Sequence, residues 1–139
     1  MIDFENRSNF EFDINLLKEI YKYLTNKDVE LILTTDKEIQ ELNKIHRQKD
    51  RPTDVLSFPL ENMPGMPLGS IIISIDTAKK GANEFTHSTQ DEIKLLFIHG
   101  LLHLLGYDHE TDNGEMREKE KEIIEKFNLP KSLVIRNEL

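Results

Sequence analysis

The spacing of apolar and polar residues divides the chain into short periodic segments separated by turn formers. Ile2 to Phe4 reads as a short strand. From Asp13 to Leu24, the residues Ile14, Leu17, Ile20, Tyr21 and Leu24 recur at helical spacing and make one apolar stripe. Val29 to Thr34 alternates with the period of a strand. Thr35 or Asp36 then caps a helix carrying Ile39, Leu42 and Ile45. Val55 to Phe58 is a strand bounded by Pro52 and Pro59, and residues 60–69 form a loop. Ser70 to Ile75 is a further strand, followed by a helix capped by Asp76 or Thr77 and running through Ala82. Ile93 to Leu105 is apolar nearly all round, the pattern of a helix enclosed by its own domain. Ser88 with Asp91, or Thr89 with Glu92, can cap its start. A last helix runs from about Asn113 to Phe127. The predicted class is α+β: a small mixed sheet of about four strands packed with about five helices, the 93–105 helix central. Strand order is not legible from such patterns.

With 139 residues and no repeat, low-complexity tract or linker, one domain spanning 1–139 is expected. Cysteine is absent, which removes disulfides, thiolate nucleophiles and cysteine-type zinc sites. A tight zinc site must then use His, Asp or Glu. No apolar run approaches the ~20 residues of a membrane span, and the opening residues do not resemble a signal peptide. A cytoplasmic protein without membrane association is expected. The net charge of −8 argues against indiscriminate nucleic-acid binding, DNA included. Much of the acid lies between Glu110 and Glu125, alternating with Lys and Arg. This reads as a solvated helix face with pairs such as Glu115–Lys119 and Glu122–Lys126.

The chemistry-bearing feature is the run His99-Gly-Leu-Leu-His103-Leu-Leu-Gly-Tyr-Asp-His109. On a helix, His99 and His103 stand about 40° apart around the axis and roughly 6 Å along it, so both can reach one ion. Gly106 can take the left-handed conformation that ends a helix, which would return His109 towards the pair. Three neutral nitrogens with a fourth position open describe a catalytic zinc site. The alternative, three separately satisfied core histidines, needs a partner for each buried ring, at about 1–3 kcal/mol for each one missed.

The spacing equals that of the metzincin peptidases, yet Gly100 stands where those enzymes place their glutamate base. The missing base argues against peptide hydrolysis by that route. Three neutral ligands leave the full +2 charge on the ion, enough to lower the pKa of coordinated water from about 15.7 towards about 7.

A second dense stretch, residues 43–59, places Arg47, Lys49 and Arg51 before a strand, with Thr53 and Ser57 hydroxyls nearby. Arginine's planar fork suits phosphate. Together, His-Gly-x-Leu-His-Leu-x-Gly-Tyr-Asp-His at 99–109, Pro-Thr-Asp-Val-Leu-Ser-Phe at 52–58 and the intervening Leu-Gly-x-Ile-x-Ile-Ser strand at 68–74 resemble the YbeY family of endoribonucleases. The resemblance covers about residues 30 to 110. It implies one zinc held by His99, His103 and His109, and Arg47 as the functional arginine that holds an RNA phosphate. It also implies maturation of ribosomal RNA, notably the 3′ end of small-subunit RNA, and ribosome quality control. His46 stands where that family commonly has tyrosine, Gln48 where it has glycine, and Ser70 where it has aspartate. His46 and His87 read as surface or packing residues, Asp108 as a turn residue and Tyr107 as packing.

The expectation is therefore a zinc-dependent endoribonuclease acting on accessible single-stranded RNA, with ribosomal RNA and the ribosome or its proteins as partners. The rival is a ribosome assembly factor that binds RNA or a ribosomal protein and uses zinc mainly for stability. Its acidic surface would suit basic ribosomal proteins.

Overall fold

The computed structural model describes residues 1–60 and 64–138. Part of the expected 60–69 loop, residues 61–63, lies outside them. Strand β1 (Ile2–Asn6) is followed by a 3-10 turn (Ile14–Leu17) that runs into α1 (Lys18–Leu24). Then come β2 (Val29–Thr34), α2 (Asp36–Arg47), β3 (Val55–Pro59), β4 (Gly69–Ser74), α3 (Ile75–Phe85), α4 (Thr89–Leu104), α5 (Glu115–Lys126) and α6 (Lys131–Glu138). The fold is α+β, as expected. The sheet order is β1-β2-β4-β3, with β1, β2 and β4 parallel and β3 antiparallel to β4.

The period-two alternation of the strands sorts their side chains onto two faces. Leu31 and Leu33 of β2, with Ile71 and Ile73 of β4, point into the larger core, where α1, α3, α4 and α5 meet. Ile32, Ile72 and Leu56 point the other way and are covered by Ile39 and Leu42 of α2. Helix α4 lies across β3 and β4 with Phe97, Ile98, Leu101 and Leu102 fully enclosed. Gly100 marks the closest approach. A Cβ there would lie 2.8 Å from Ile71 Cγ2 and 3.2 Å from Ser57 Oγ, so the glycine is what lets the helix sit this low on the sheet.

Several boundaries differ from the pattern reading. Ser74 Oγ accepts from the Thr77 backbone at 3.4 Å, so the strand ends at Ser74 and α3 begins at Ile75 rather than after an Asp76 or Thr77 cap. For α4 the cap is Ser88, which accepts from the Asp91 N–H at 3.0 Å. Glu92 is not part of a capping box; it is fully buried. Its Oε1 faces His87 Nε2 at 2.7 Å, and its Oε2 accepts from Arg136 Nε at 3.1 Å. Of the ion pairs read on α5, Glu115 instead accepts from the Asn113 N–H, and Lys119 pairs with Glu122.

Six α-helices are formed by the described residues, where about five were expected. Helix α6 spans only eight residues and includes β-branched Val134 and Ile135, so its local sequence signal is weak. Tertiary contacts hold it: Leu133 is fully buried with Leu95 and Ile124, and Arg136 bridges Glu92 to Asp54, donating to Asp54 Oδ2 at 2.9 Å. The Asp54 carbonyl accepts from the Ser74 N–H at 2.9 Å, so the C-terminal helix is tied to the start of β3.

Removing one partner from a buried charge pair leaves the other uncompensated. Arg136→Ala is therefore expected to lower unfolding free energy by about 3 kcal/mol in urea titrations. A loss below about 1 kcal/mol, the level of an exposed pair, would contradict this network's structural role.

Candidate metal centre

Helix α4 and the turn after it bring the three predicted histidines together. Ring centroids lie 4.8 Å apart for His99–His103, 5.2 Å for His99–His109 and 5.5 Å for His103–His109. One ligand nitrogen from each ring lies within 4.8 Å of the others, so the trio can hold a metal ion. At tetrahedral angles and a bond length of about 2.1 Å, the nitrogens on one zinc stand about 3.4 Å apart, so the rings would draw closer together around a bound ion.

The turn that returns His109 follows from helix-end chemistry. Gly106 has φ +102°. Its N–H donates to His103 O at 3.0 Å, and the Tyr107 N–H donates to Leu102 O at 3.0 Å. These two bonds make a Schellman motif, with the left-handed residue at the position where glycine is favoured. Tyr107 then packs against the core that contains Leu102. Asp108 acts as the expected turn residue, its carboxylate accepting from the Glu110 N–H at 3.0 Å.

Each ring has a different support. His99 Nδ1 lies 2.8 Å from Glu120 Oε1 on α5. His103 has a backbone hydrogen bond at Tyr107. Nδ1 of His109 is buried and has no hydrogen-bond partner among the described residues, which is the kind of orphaned polar atom a bound ion or water explains. Burial, followed by repulsion from His99 and His109, holds His103 below the ordinary histidine range, against the opposing pull of Asp108 and the Tyr107 backbone bond. A ring kept neutral is ready to ligate. The donor set is three imidazoles, with neither thiolate nor carboxylate, which fits zinc at a site with one open position.

Arg47 opens onto the same space. A cleft of about 520 Å³ is lined by all three histidines together with Arg47, Thr53, Asp54 and Ser57. Arg47 is the last residue of α2, and the chain leaves it through Gln48 in the left-handed conformation, φ 56°. That backbone explains why glycine would also suit position 48. Buried Asn43 steers the return, donating to Arg51 O at 2.9 Å and accepting at its carbonyl from the Lys49 N–H at 3.3 Å. Lys49 and Arg51, read with Arg47 as one cationic group, do not line the cleft. Ser57 Oγ donates to Gly100 O at 3.3 Å, locking β3 to the histidine helix.

His46 packs on Phe58, with ring centroids 5.0 Å apart. His87 is buried between Glu92 and Ser132, its Nδ1 lying 3.0 Å from Ser132 Oγ. Ser70 hydrogen-bonds Glu30 at 2.7 Å and does not line the cleft, so replacing an aspartate there leaves the histidines untouched. Sequence reasoning missed Glu120. The signal was present: Met116, Glu120, Ile123, Ile124 and Phe127 share one helical stripe, with a carboxylate where an apolar residue belongs.

Comparisons with known proteins agree on one family. The family model described as Endoribonuclease YbeY matches residues 2–128. The Endoribonuclease YbeY of Nautilia profundicola is 75% identical over 138 residues, covering 99% of both chains. That of a Sulfurovum species is 55% identical over 144 residues, covering 99% of this chain and 98% of its own. A Thermotoga maritima protein solved in solution is 36% identical, with a TM-score of 0.66, over 91% of this chain and 88% of that one.

The depressed His103 value sets a sign for stability. The unfolded ring takes up a proton near its ordinary value of 6.5, while the folded ring resists it. The unfolded state then binds more protons, and metal-free protein is expected to lose stability as pH falls below that value, with the contribution complete above it. Thermal melts of metal-free wild type and His103→Gln should diverge in slope, the variant being flatter. Parallel profiles would contradict the assignment.

Proposed function

The chain belongs to the YbeY family, and on that premise we propose that the three-imidazole cleft is the active site of a zinc-dependent endoribonuclease that processes ribosomal RNA. The observation that supports this best is the presence of Arg47 in the wall of the space enclosed by His99, His103 and His109. One charged fork beside one cation site is what a single phosphodiester needs: a donor for its non-bridging oxygens and an electrophile at the reacting centre.

Bound at the trio, zinc supplies Lewis acidity towards a phosphoryl oxygen or towards water. The chain's own residues do the rest. Arg47 has no ion-pair partner among the described residues, so its guanidinium is free to donate to a phosphate and to stabilise charge developing on it. The His99, His103 and His109 rings fix the reacting centre on a rigid helix end. Thr53 adds a hydroxyl to the same wall. Position 100 carries no glutamate base, because Gly100 is packed against Ile71 and Ser57 with no room for a longer side chain.

The substrate we assign is single-stranded or looped RNA, whose phosphates reach an open cleft where those of a regular duplex do not. The 3′ end of small-subunit RNA is the proposed target, with the ribosome or its proteins as partners and the cytoplasm as the location. No helix among the described residues is long and apolar enough to cross a membrane. The acidic surface, at net charge −8, favours contact with basic ribosomal proteins over indiscriminate grip on nucleic acid.

Metal-stripped protein reconstituted with zinc is expected to cleave ribosomal RNA precursor, with Arg47→Ala reduced about 100-fold or more and His103→Ala inactive. Equal cleavage by wild type and the double variant would refute the proposal. Loss of melting temperature on metal removal with cleavage unchanged would favour an assembly factor with structural zinc. The product ends identify the attacking group: a 2′,3′-cyclic phosphate excludes direct attack by water.

A further inference from the structure

Glu120 is a charged residue in the wrong place for ordinary helix design. Helix α5 buries Met116, Ile123 and Ile124, and at the same face, one turn after Met116, it also buries Glu120, which is 3% exposed. Its neighbours Lys119, Lys121 and Glu122 lie outside the core. A carboxylate drawn from water costs several kcal/mol unless it is paired or hydrogen-bonded. The partner it has is His99 Nδ1, at 2.8 Å. Helix α5 has no contact of this kind with His103 or His109 among the described residues.

We propose that Glu120 is the positioning residue of the metal centre: it fixes His99 as the tautomer protonated at Nδ1 and so presents Nε2, with its lone pair, to the shared cation. This rests on reading the three imidazoles as a metal site. An acceptor-only carboxylate beside one ring nitrogen requires a proton on that nitrogen, so the other is left as the ligand atom. The same negative charge makes the imidazole a stronger donor and offsets part of the ion's charge. Metal affinity thus depends on how α5 packs against α4, although α5 contributes no ligand of its own.

Two substitutions separate positioning from simple packing. Glu120→Leu completes the apolar stripe, and the side chain has room because Glu120 borders a cavity of about 200 Å³ shared with His99 and His109. The substitution removes a buried charge but leaves His99 Nδ1 without its acceptor, so the metal-free protein should melt at a lower temperature while staying folded. Zinc affinity, measured by chelator competition, is expected to fall about 10–100-fold. Glu120→Gln keeps an acceptor for the Nδ1 proton but not the charge, and should fall by a smaller factor. Independently of metal, long-range proton–nitrogen NMR at alkaline pH should show His99 of the wild type protonated at Nδ1, and mixed tautomers in Glu120→Leu.

Zinc affinity unchanged in both variants, or a wild-type His99 protonated at Nε2, would overturn the inference. Should Glu120→Leu fail to fold, the glutamine variant and the wild-type tautomer still decide it. A wild type that takes up no zinc defeats the metal-centre reading instead, a result that chelator competition reports separately from the NMR tautomer.

Discussion

A helix enclosed on nearly every side has to satisfy each polar atom it carries from within the protein, and α4 carries two imidazoles. That constraint organises the structure around it. Gly100 lets the helix settle onto β3 and β4, with Ser57 reaching its carbonyl. Once it is so low, His99 and His103 face a shared, partly open space, and their nitrogens are met by Glu120, by the Tyr107 backbone and by whatever lies between the rings. His109 enters that space only because Gly106 closes the helix with a Schellman turn.

The cleft draws on elements far apart in sequence, and each is fixed by something other than the site. Arg47 ends α2, whose apolar face is committed to Ile32, Ile72 and Leu56. Thr53 and Asp54 precede β3, and Arg136 of the C-terminal helix ties Asp54 to the buried Glu92. Sites carried on rigid elements hold geometry better than sites on loops. This arrangement supports an enzyme that positions a phosphodiester between an arginine and a metal, with no dedicated carboxylate base.

The histidine cluster was legible because metal-ligand spacing, helical periodicity and glycine chemistry all act over eleven residues. Strand locations were legible for the same local reason. What escaped depends on long-range pairing. The β1-β2-β4-β3 order has no local signature, and α6 exists because Leu133 and Arg136 find partners on other helices. Ser74 rather than Asp76 caps α3, since the Asp36 carboxylate accepts from the Ser74 and Thr77 hydroxyls, at 2.6 Å each, and draws two helix starts together. Glu92 reads as a helix-cap partner and Glu120 as part of a solvated face, because acid is usually placed at helix starts or in water; only the packed structure supplies the His87 and His99 rings that meet them.

The central claim is that His99, His103 and His109 share one ion with a vertex left for a reactant. X-ray absorption spectroscopy at the zinc edge, on untagged protein carrying one equivalent of metal, tests it most directly. The account expects a first shell of three imidazoles and one exchangeable light ligand. A fourth protein ligand, or fewer than three imidazoles, would contradict it.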